Sequence, residues 1–381
     1  MSAPQVSYTL RVQGSPVEPA ALDAIQSVEV EHHAELADVA RLKLTTAVAG
    51  KDKTWTIIDD PICTRLANVQ IGVRIGGGAA TPLLDGYVID VRAALGTEPG
   101  RSTVEVVAMD ATVLMDLEEK VRAWPDQADS AIADAIFGEY GFDTDVQSTE
   151  PVRQESDVTS MQRGSDIRFL RKLAERNGYE CFLDVGESGR TTGHFHPPRL
   201  DQSSQTVLSV NLGTETTLDQ FKVRYDMLSA TTATASGIDA HDASDQPVQA
   251  PTGSQKPLGG ASTVPADRPR TKLLTGNGLS RGGELQTLAQ AVVDRSSYAI
   301  TADGVVNAAV IGQVLRAKQP VLVRGAGMQF SGQYYVHRVL HRFVNNGYQQ
   351  HATLKRNAAG LTHRESFQDD NSAAPQPAVR V

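Results

Sequence analysis

The sequence predicts an α+β chain that is mainly β, with two similar antiparallel β-barrel (tube-like) domains and a mixed α/β middle domain. Three observations predict it. Short runs of alternating apolar and polar residues, separated by turn residues, fill both ends of the chain. Thirty-two glycines, eighteen prolines and only 5% aromatic residues favour turns and strands over long helices. The pattern near the C-terminus also resembles the one near the N-terminus, and internal self-similarity is a primary guide to architecture.

The first barrel is assigned to residues 1–112. Residues 5–12 (QVSYTLRV), 26–31 (QSVEVE) and 39–46 (VARLKLTT) alternate as half-buried strands do. NVQIGVRIGGG (68–78) places Val69, Ile71, Val73 and Ile75 on one face. LLDGYVIDVRAAL (83–95) and RSTVEVVAMDAT (101–112) follow, joined by turn residues.

The pattern then changes, and residues 113–205 read as the α/β middle domain. DSAIADAIFGEYGF (129–142) places Ile132, Ala135, Ile136 and Tyr140 at helical spacing, with Asp129 or Ser130 as N-cap. In SMQRGSDIRFLRKLAERNGYECFLD (160–184), Ser165 is the expected N-cap. Ile167, Leu170, Leu173 and Ala174 form an apolar stripe, and Gly178 is the left-handed stop. Tyr179, Cys181 and Leu183 then alternate with Glu180, Phe182 and Asp184, so the helix runs into a strand.

Residues 206–240, strand-like over 218–235, are expected to begin the second barrel. Residues 241–302 read as a Pro/Gly-rich loop (241–271) followed by a helix from about Gly283 to Tyr298 that packs on the middle domain. Residues 303–360 supply the remaining strands, and 361–381 a flexible tail. The repeat sets strand, turn, Gly and aromatic-containing strand in the same order twice. Asp85-Gly86-Tyr87 sits where Ser331-Gly332-Gln333-Tyr334 sits. Three such chains around an axis would present six barrels, continuous with a six-subunit ring.

The formal charge of −9 argues against a nucleic-acid coat or nucleic-acid sequence recognition, which need a basic footprint. Two distant cysteines, Cys63 and Cys181, exclude a disulfide framework and a four-cysteine zinc site. The opening MSAPQVSYTLRVQGS has no basic region followed by an apolar core, and no run approaches the roughly 18 apolar residues of a membrane span. The expectation is a chain made in the cytoplasm without a signal peptide, with no membrane insertion by itself.

His194 and His196 would share one face of an extended segment and can start a zinc site, with Asp201 as a third ligand. The plainer reading is a surface strand end running into Pro197-Pro198, so no metal is assigned. His337 and His341 alternate with Val339, opposite Arg338, Leu340 and Arg342, and read as a partly buried strand with satisfied histidines. His32 and His33 point to opposite faces. RIGGGAAT (74–81) lacks a Walker lysine and reads as a turn. With no nucleophile elbow and no recognisable acid pair, no catalytic residue or cofactor is assigned. Arg168, Arg171, Lys172 and Arg176 read as a solvated helix face, ahead of a grip on an acidic partner and well ahead of phosphate binding.

The stretch QRGSDIRFLRKLAERNGYECFLD resembles the signature of the contractile-tail baseplate hub family: phage late control protein D, the myophage hub and the N-terminal hub region of VgrG. The matching positions are Phe169, Leu170, Leu173, Ala174, Gly178 and Tyr179. Gly332, Tyr335, Val336, Val339, His341, Gly347, Tyr348 and Arg356-Asn357 resemble the family's second barrel, and LLDGYVIDV, with Gly86 and Tyr87, its first. The resemblance implies a structural, non-enzymatic homotrimer that joins a hexameric inner tube to a trimeric spike. It implies partners above (tail-tube or tube-initiator protein), below (spike protein) and around (other baseplate proteins), in a phage virion or contractile injection particle. The chain departs from VgrG in having no evident oligonucleotide/oligosaccharide-fold module or β-helix after residue 360, so the spike is expected to be a separate protein. The rival readings are a tail-associated cell-wall hydrolase and a glycan- or receptor-binding tail module.

Overall fold

One large curled sheet of thirteen strands, antiparallel but for one pairing, organises the chain. In this computed structural model the described residues are 6–49, 54–98, 100–150, 152, 159–186, 189–238, 244–275, 282–344 and 347–367. The N-terminal part supplies β1 (Val6–Val12), β2 (Ile25–His33), β3 (Val39–Thr45), β4 (Asn68–Ile75), β5 (Thr81–Ala94) and β6 (Thr103–Asp110). Each lies within two or three residues of the stretch predicted from alternation. The middle supplies β7 (Glu119–Trp124), α1 (Asp129–Glu139), β8 (Asp143–Val146), β9 (Ser160–Ser165), α2 (Asp166–Asn177), β10 (Glu180–Val185) and β11 (Thr191–His196). The C-terminal part supplies β12 (Val207–Ser209), β13 (Leu218–Tyr225), β14 (Thr231–Ile238), β15 (Asp245–Ala250), β16 (Arg270–Leu274), α3 (Gly282–Ser297), β17 (Ile300–Val306), β18 (Pro320–Arg324), β19 (Gly332–Val344) and β20 (Gly347–Arg356).

Five strands of each part pair in the same order. The N-terminal half runs β2-β3-β6-β5-β4, and the C-terminal half runs β13-β17-β20-β19-β18. The irregularities repeat as well. The β2/β3 register shifts between Ile25 and Ser27, and the β13/β17 register between Leu218 and Gln220. The β5/β6 register shifts between Val88 and Asp90, and the β19/β20 register between Val336 and Arg338. Bulges bend and twist a strand at a defined residue, so matched bulges curl the two halves alike. The turn before each long strand matches too. Leu66 N–H donates to Val88 O at 2.9 Å and Val88 N–H to Ala67 O at 3.0 Å; Lys318 N–H donates to Val336 O at 2.8 Å and Val336 N–H to Gln319 O at 3.0 Å. Leu66 and Lys318 both hold positive φ, 57° and 66°. This correspondence sets Tyr87-Val88 on Tyr335-Val336, two residues along from the alignment of Gly86 with Gly332 expected from sequence.

Each half packs around its own apolar core. Val28, Leu42, Leu44, Val69, Ile71, Val104 and Val106 fill the first; Ile300, Val321, Val323, Val336, Val339 and Leu354 fill the second. The halves join edge to edge. The distal part of β19 pairs with β2, from Arg338 opposite His33 to Val344 opposite Ser27.

Against this sheet lies the α/β layer, in which β8, β11 and β10 form a three-stranded sheet. Helix α2 packs as predicted: Ile167, Phe169, Leu170, Leu173 and Ala174 are buried, and Gly178 caps the helix with φ 68°. Two details differ. Ser165 is the N-cap by position but makes no capping bond; its hydroxyl instead donates to Asp116. In α1 the N-cap is Ala128, because the Asp129 carboxylate is held by Arg176 and Asn177. The buried stripe of α1 is Ile132, Ala133, Ile136 and Phe137; Ala135 faces outward.

The expected loop over 241–271 is not a loop throughout. β15 and β16 flank β14 in a separate three-stranded sheet, which packs on α3 through Ala233, Ala235, Val248, Leu285, Ala289 and Val293. The sequence there alternates too weakly to announce strands, because the buried residues are mostly alanine. β14, expected within the run of second-barrel strands, belongs to this small sheet. Residues 361–367 of the expected flexible tail are tied down: Arg324 donates to Phe367 O, and the Glu365 carboxylate accepts from Thr362 and Arg364 N–H. Residues 368–381 lie outside the described residues.

Candidate functional site

Of the signature residues, Ala174, Gly178, Tyr179 and Tyr335 line the junction where α2, α3 and β10 meet the seam between β19 and β2. α2 reaches α3 through Gly178. A Cβ there would lie 3.2 Å from Ala291 Cβ, and the left-handed backbone would itself be strained by any other side chain. Arg295 of α3 donates to the carboxylate and carbonyl of Glu175. Tyr179 packs edge-on to Phe195 at 5.4 Å, and its hydroxyl donates to Ser148 O at 2.9 Å.

β10 then crosses to the large sheet. Its inner face buries Cys181 and Leu183 against the helices, while Glu180 and Phe182 face the seam. The Tyr335 hydroxyl donates to both Glu180 oxygens, at 2.8 and 2.7 Å. Burial pushes the Glu180 carboxyl up to about 7, against the lowering effect of that bond, and burial also raises the Tyr335 phenol. Lys318 Nζ lies over the Phe182 ring at 4.3 Å and 3.4 Å from Asp38 Oδ2, so one cation joins the two halves and the α/β layer. A cavity of about 370 Å³ beside Glu180 is bounded by charges from all three parts, Glu35, Arg171 and Lys355, with His337 beside them.

The seam has one wet and one dry face. On the wet face Arg338 pairs with Glu31 at 2.7 Å and Arg342 with Glu29 at 2.9 Å. On the dry face His341 is fully buried edge-on to His32 at 4.9 Å; burial holds both imidazoles below their ordinary range and therefore neutral. His341 Nδ1 meets Tyr348 Oη at 2.8 Å, but its Nε2 has no partner, so the expectation of satisfied histidines fails at that atom. The glycines of the signature are there for close approach. A Cβ on Gly86 would lie 2.4 Å from Met109 O, and one on Gly332 would lie 2.6 Å from the Arg356 guanidinium. Arg356 is fully buried and donates to the carbonyls of Leu258, Ser331 and Gly360.

The α2 cations divide. Arg168 pairs with Asp116 at 3.0 Å and Arg176 with Asp129, whereas Lys172 is exposed. Arg171 is half-buried, with Nε and one Nη lacking partners. The helix face is therefore used largely within the chain rather than being simply solvated.

His194 and His196 do share a face, as predicted, but the carboxylate beside them is Asp145 from β8 and not Asp201. His194 Nδ1 is 3.0 Å from Asp145 Oδ2, and His196 Nε2 is 3.4 Å from His194 Nδ1 and 3.9 Å from Asp145 Oδ2. Sequence reasoning missed Asp145 because 49 residues separate it from His194. It missed the Glu180–Tyr335 pair for the same reason. Arg356 had a signal, being a cation on the apolar face of an alternating strand.

A family model described as "Alg8 N-terminal domain" matches residues 2–345. The chain belongs to the Alg8 N-terminal domain family. No curated protein matches it in sequence. This chain shares its fold with phage tail proteins. The 43 kDa tail protein of prophage MuSo2 from Shewanella oneidensis superposes with a TM-score of 0.66 at 14% identity, over 92% of this chain and 98% of that one. The tail protein from Neisseria meningitidis MC58 superposes at 0.65 and 12% identity, over 93% and 97%. An Escherichia coli component of the type VI secretion system, described as structurally similar to the T4 tail proteins gp27 and gp5, superposes at 0.56 and 13% identity, over 94% and 79%. The fold is thus that of tail and injection-system components. Among the described residues no helix is long and apolar enough to cross a membrane.

Proposed function

We propose that the chain is the structural hub of a contractile tail or injection-system baseplate, working as a homotrimer. Each half-sheet acts as one tube-like barrel, so that three chains adapt a hexameric tube above to a trimeric spike below. The observation that supports this reading is a pair of unpartnered edges that match the internal seam.

Beyond Val88, β5 pairs only with β6 among the described residues, and β13 pairs only with β17. These are the counterparts of β19 and β2, which do pair. Carrying the internal register over sets Val91 opposite Tyr225, Ala93 opposite Val223 and Leu95 opposite Phe221 of the next copy. Leu95 is 55% exposed in the single chain, and such pairing covers it. The internal Arg338–Glu31 ion pair becomes Asp90–Arg224, with its charges exchanged. Three internal seams and three between chains then close a ring, in which neither of these two edges is left open for stray pairing.

Mass photometry of the purified chain, alone and with a spike protein, tests the reading. The expected particle is three chains. Ala93→Cys with Val223→Cys should give an oxidised ladder that ends at three. Arg224→Asp should shift trimer to monomer, and adding Asp90→Arg should restore it. A chain that stays monomeric with and without spike, or a trimer whose cysteine pair never cross-links, would overturn the proposal.

A further inference from the structure

The triad of Asp145, His194 and His196 has the construction of a metal site, built on β8 and β11 of the α/β layer. β8 and β11 run parallel with Asp145 opposite His194, so their side chains emerge on one face, and His196 follows two residues later on that face. Each side chain is oriented from behind. Arg199 donates to Asp145 Oδ1 at 2.6 Å, which leaves Oδ2 facing the imidazoles. His196 Nδ1 meets Pro197 O at 2.8 Å, which keeps the ring proton on Nδ1 and the lone pair on Nε2. Phe182 stacks on His194 at 4.5 Å and 12°, fixing the ring plane. Such outer contacts are what holds ligating imidazoles and carboxylates in working geometry.

The three inner atoms are separated by 3.0, 3.4 and 3.9 Å. A tetrahedral dication with bonds of about 2.0–2.1 Å to N and O donors needs ligand atoms roughly 3.3 Å apart. Two imidazoles and one carboxylate suit a borderline transition dication, Zn²⁺ foremost, rather than Ca²⁺ or Mg²⁺. We propose that Asp145 Oδ2, His194 Nδ1 and His196 Nε2 bind one Zn²⁺ per chain, with water as fourth ligand.

Binding would move the His194 proton from Nδ1 to Nε2 by way of solvent, with no net release. Asp145 is a third exposed, which gives the ion a way in, and the bound ion would pin β8 to the end of β11.

The test uses the tag-free full chain, stripped with chelator and titrated with Co²⁺ and then Zn²⁺. The expected result is one equivalent of metal by elemental analysis. The visible bands of four-coordinate Co²⁺ should appear and be bleached by Zn²⁺, and the melting temperature should rise with Zn²⁺. Asp145→Asn, at the most exposed of the three positions, should cut affinity at least tenfold with an unchanged circular dichroism spectrum. His196→Ala should abolish the bands. Wild-type chain that takes up no stoichiometric metal would overturn the proposal, as would uptake undiminished in Asp145→Asn.

Discussion

The two halves of the large sheet share a strand order and a pair of bulges, yet each turns a glycine corner at a different place, two residues out of register, and by different chemistry. In the N-terminal half Gly86 lets β5 press on the backbone of β6 at Met109. In the C-terminal half the corner is opened by Gly332 and filled by the buried Arg356, whose guanidinium binds three carbonyls. The second half also meets the α/β layer through Tyr335–Glu180, a bond without a counterpart in the first half among the described residues. Topology repeats where backbone pairing dictates it. Side chains diverge where the second half meets β10 through Tyr335.

The comparison is broken most severely by removing the layer that both halves share. Leu170 is fully buried among Ile136, Phe137, Leu173 and Phe195. Leu170→Asp forfeits about 2–3 kcal/mol of burial and adds the cost of an unpaired buried carboxylate, so a loss beyond about 4 kcal/mol is expected. Urea titration of the full chain should find no cooperative folded baseline, or the mutant should be insoluble. Arg356→Met comes next. It keeps the apolar stem but leaves three carbonyls unpaired, at about 1–3 kcal/mol each, so a loss near 3 kcal/mol is expected in the same titration after partial rescue by water. Wild-type stability in Arg356→Met would mean that the second corner does not depend on its guanidinium.

Much of this was legible in the sequence because it is local. Alternation located β1 to β6, the C-terminal strands were expected only as one run over 303–360, although β17 begins at Ile300, and the i, i+3, i+6, i+7 stripe with Asn177-Gly178 located α2 and its end. The repeat was legible as a rhythm of strand and turn, but its register was not. Only the bulges at Ile89 and His337, which depend on pairing with β6 and β20, set Tyr87 on Tyr335. The small sheet of β14 to β16 was hidden because alanines and threonines carry its pattern. Asp145 and Glu180 were hidden because their partners arrive from 49 and 155 residues away, a distance over which no periodicity speaks.

Gly86→Ala probes the first corner in a way that the second cannot imitate. The added Cβ would meet backbone, which has no rotamer to yield, so about 2 kcal/mol of destabilisation is expected. Gly77→Ala is the control, since a Cβ there meets nothing within 4 Å, and it should stay within about 0.5 kcal/mol of wild type. Equal effects at the two glycines in thermal melts would remove close packing as the reason for Gly86.

The smallest expected effect is a slope with pH, and it is carried by Glu180, the carboxylate that the second half holds through Tyr335. Glu180 is pushed up to about 7 by burial, above the ordinary glutamate value. Between about 4.5 and 7 the folded chain therefore keeps a proton that the unfolded chain has released. That contribution to stability is full below about 4.5 and is lost as pH rises through about 7. His337, pushed down to about 3 by burial, acts in the opposite sense: its contribution is present above about 6.5 and is lost as pH falls. In the wild type the two slopes oppose each other across the same window. Glu180→Gln keeps a polar partner for the Tyr335 hydroxyl and removes only the first slope. The variant should therefore gain on wild type, by on the order of 1 kcal/mol, as denaturant titrations move from pH 4.5 to pH 7. A difference between variant and wild type that stays flat across that range would mean that Glu180 ionises in the folded chain as it does in water, and that the Tyr335–Glu180 bond is wetter than its burial implies.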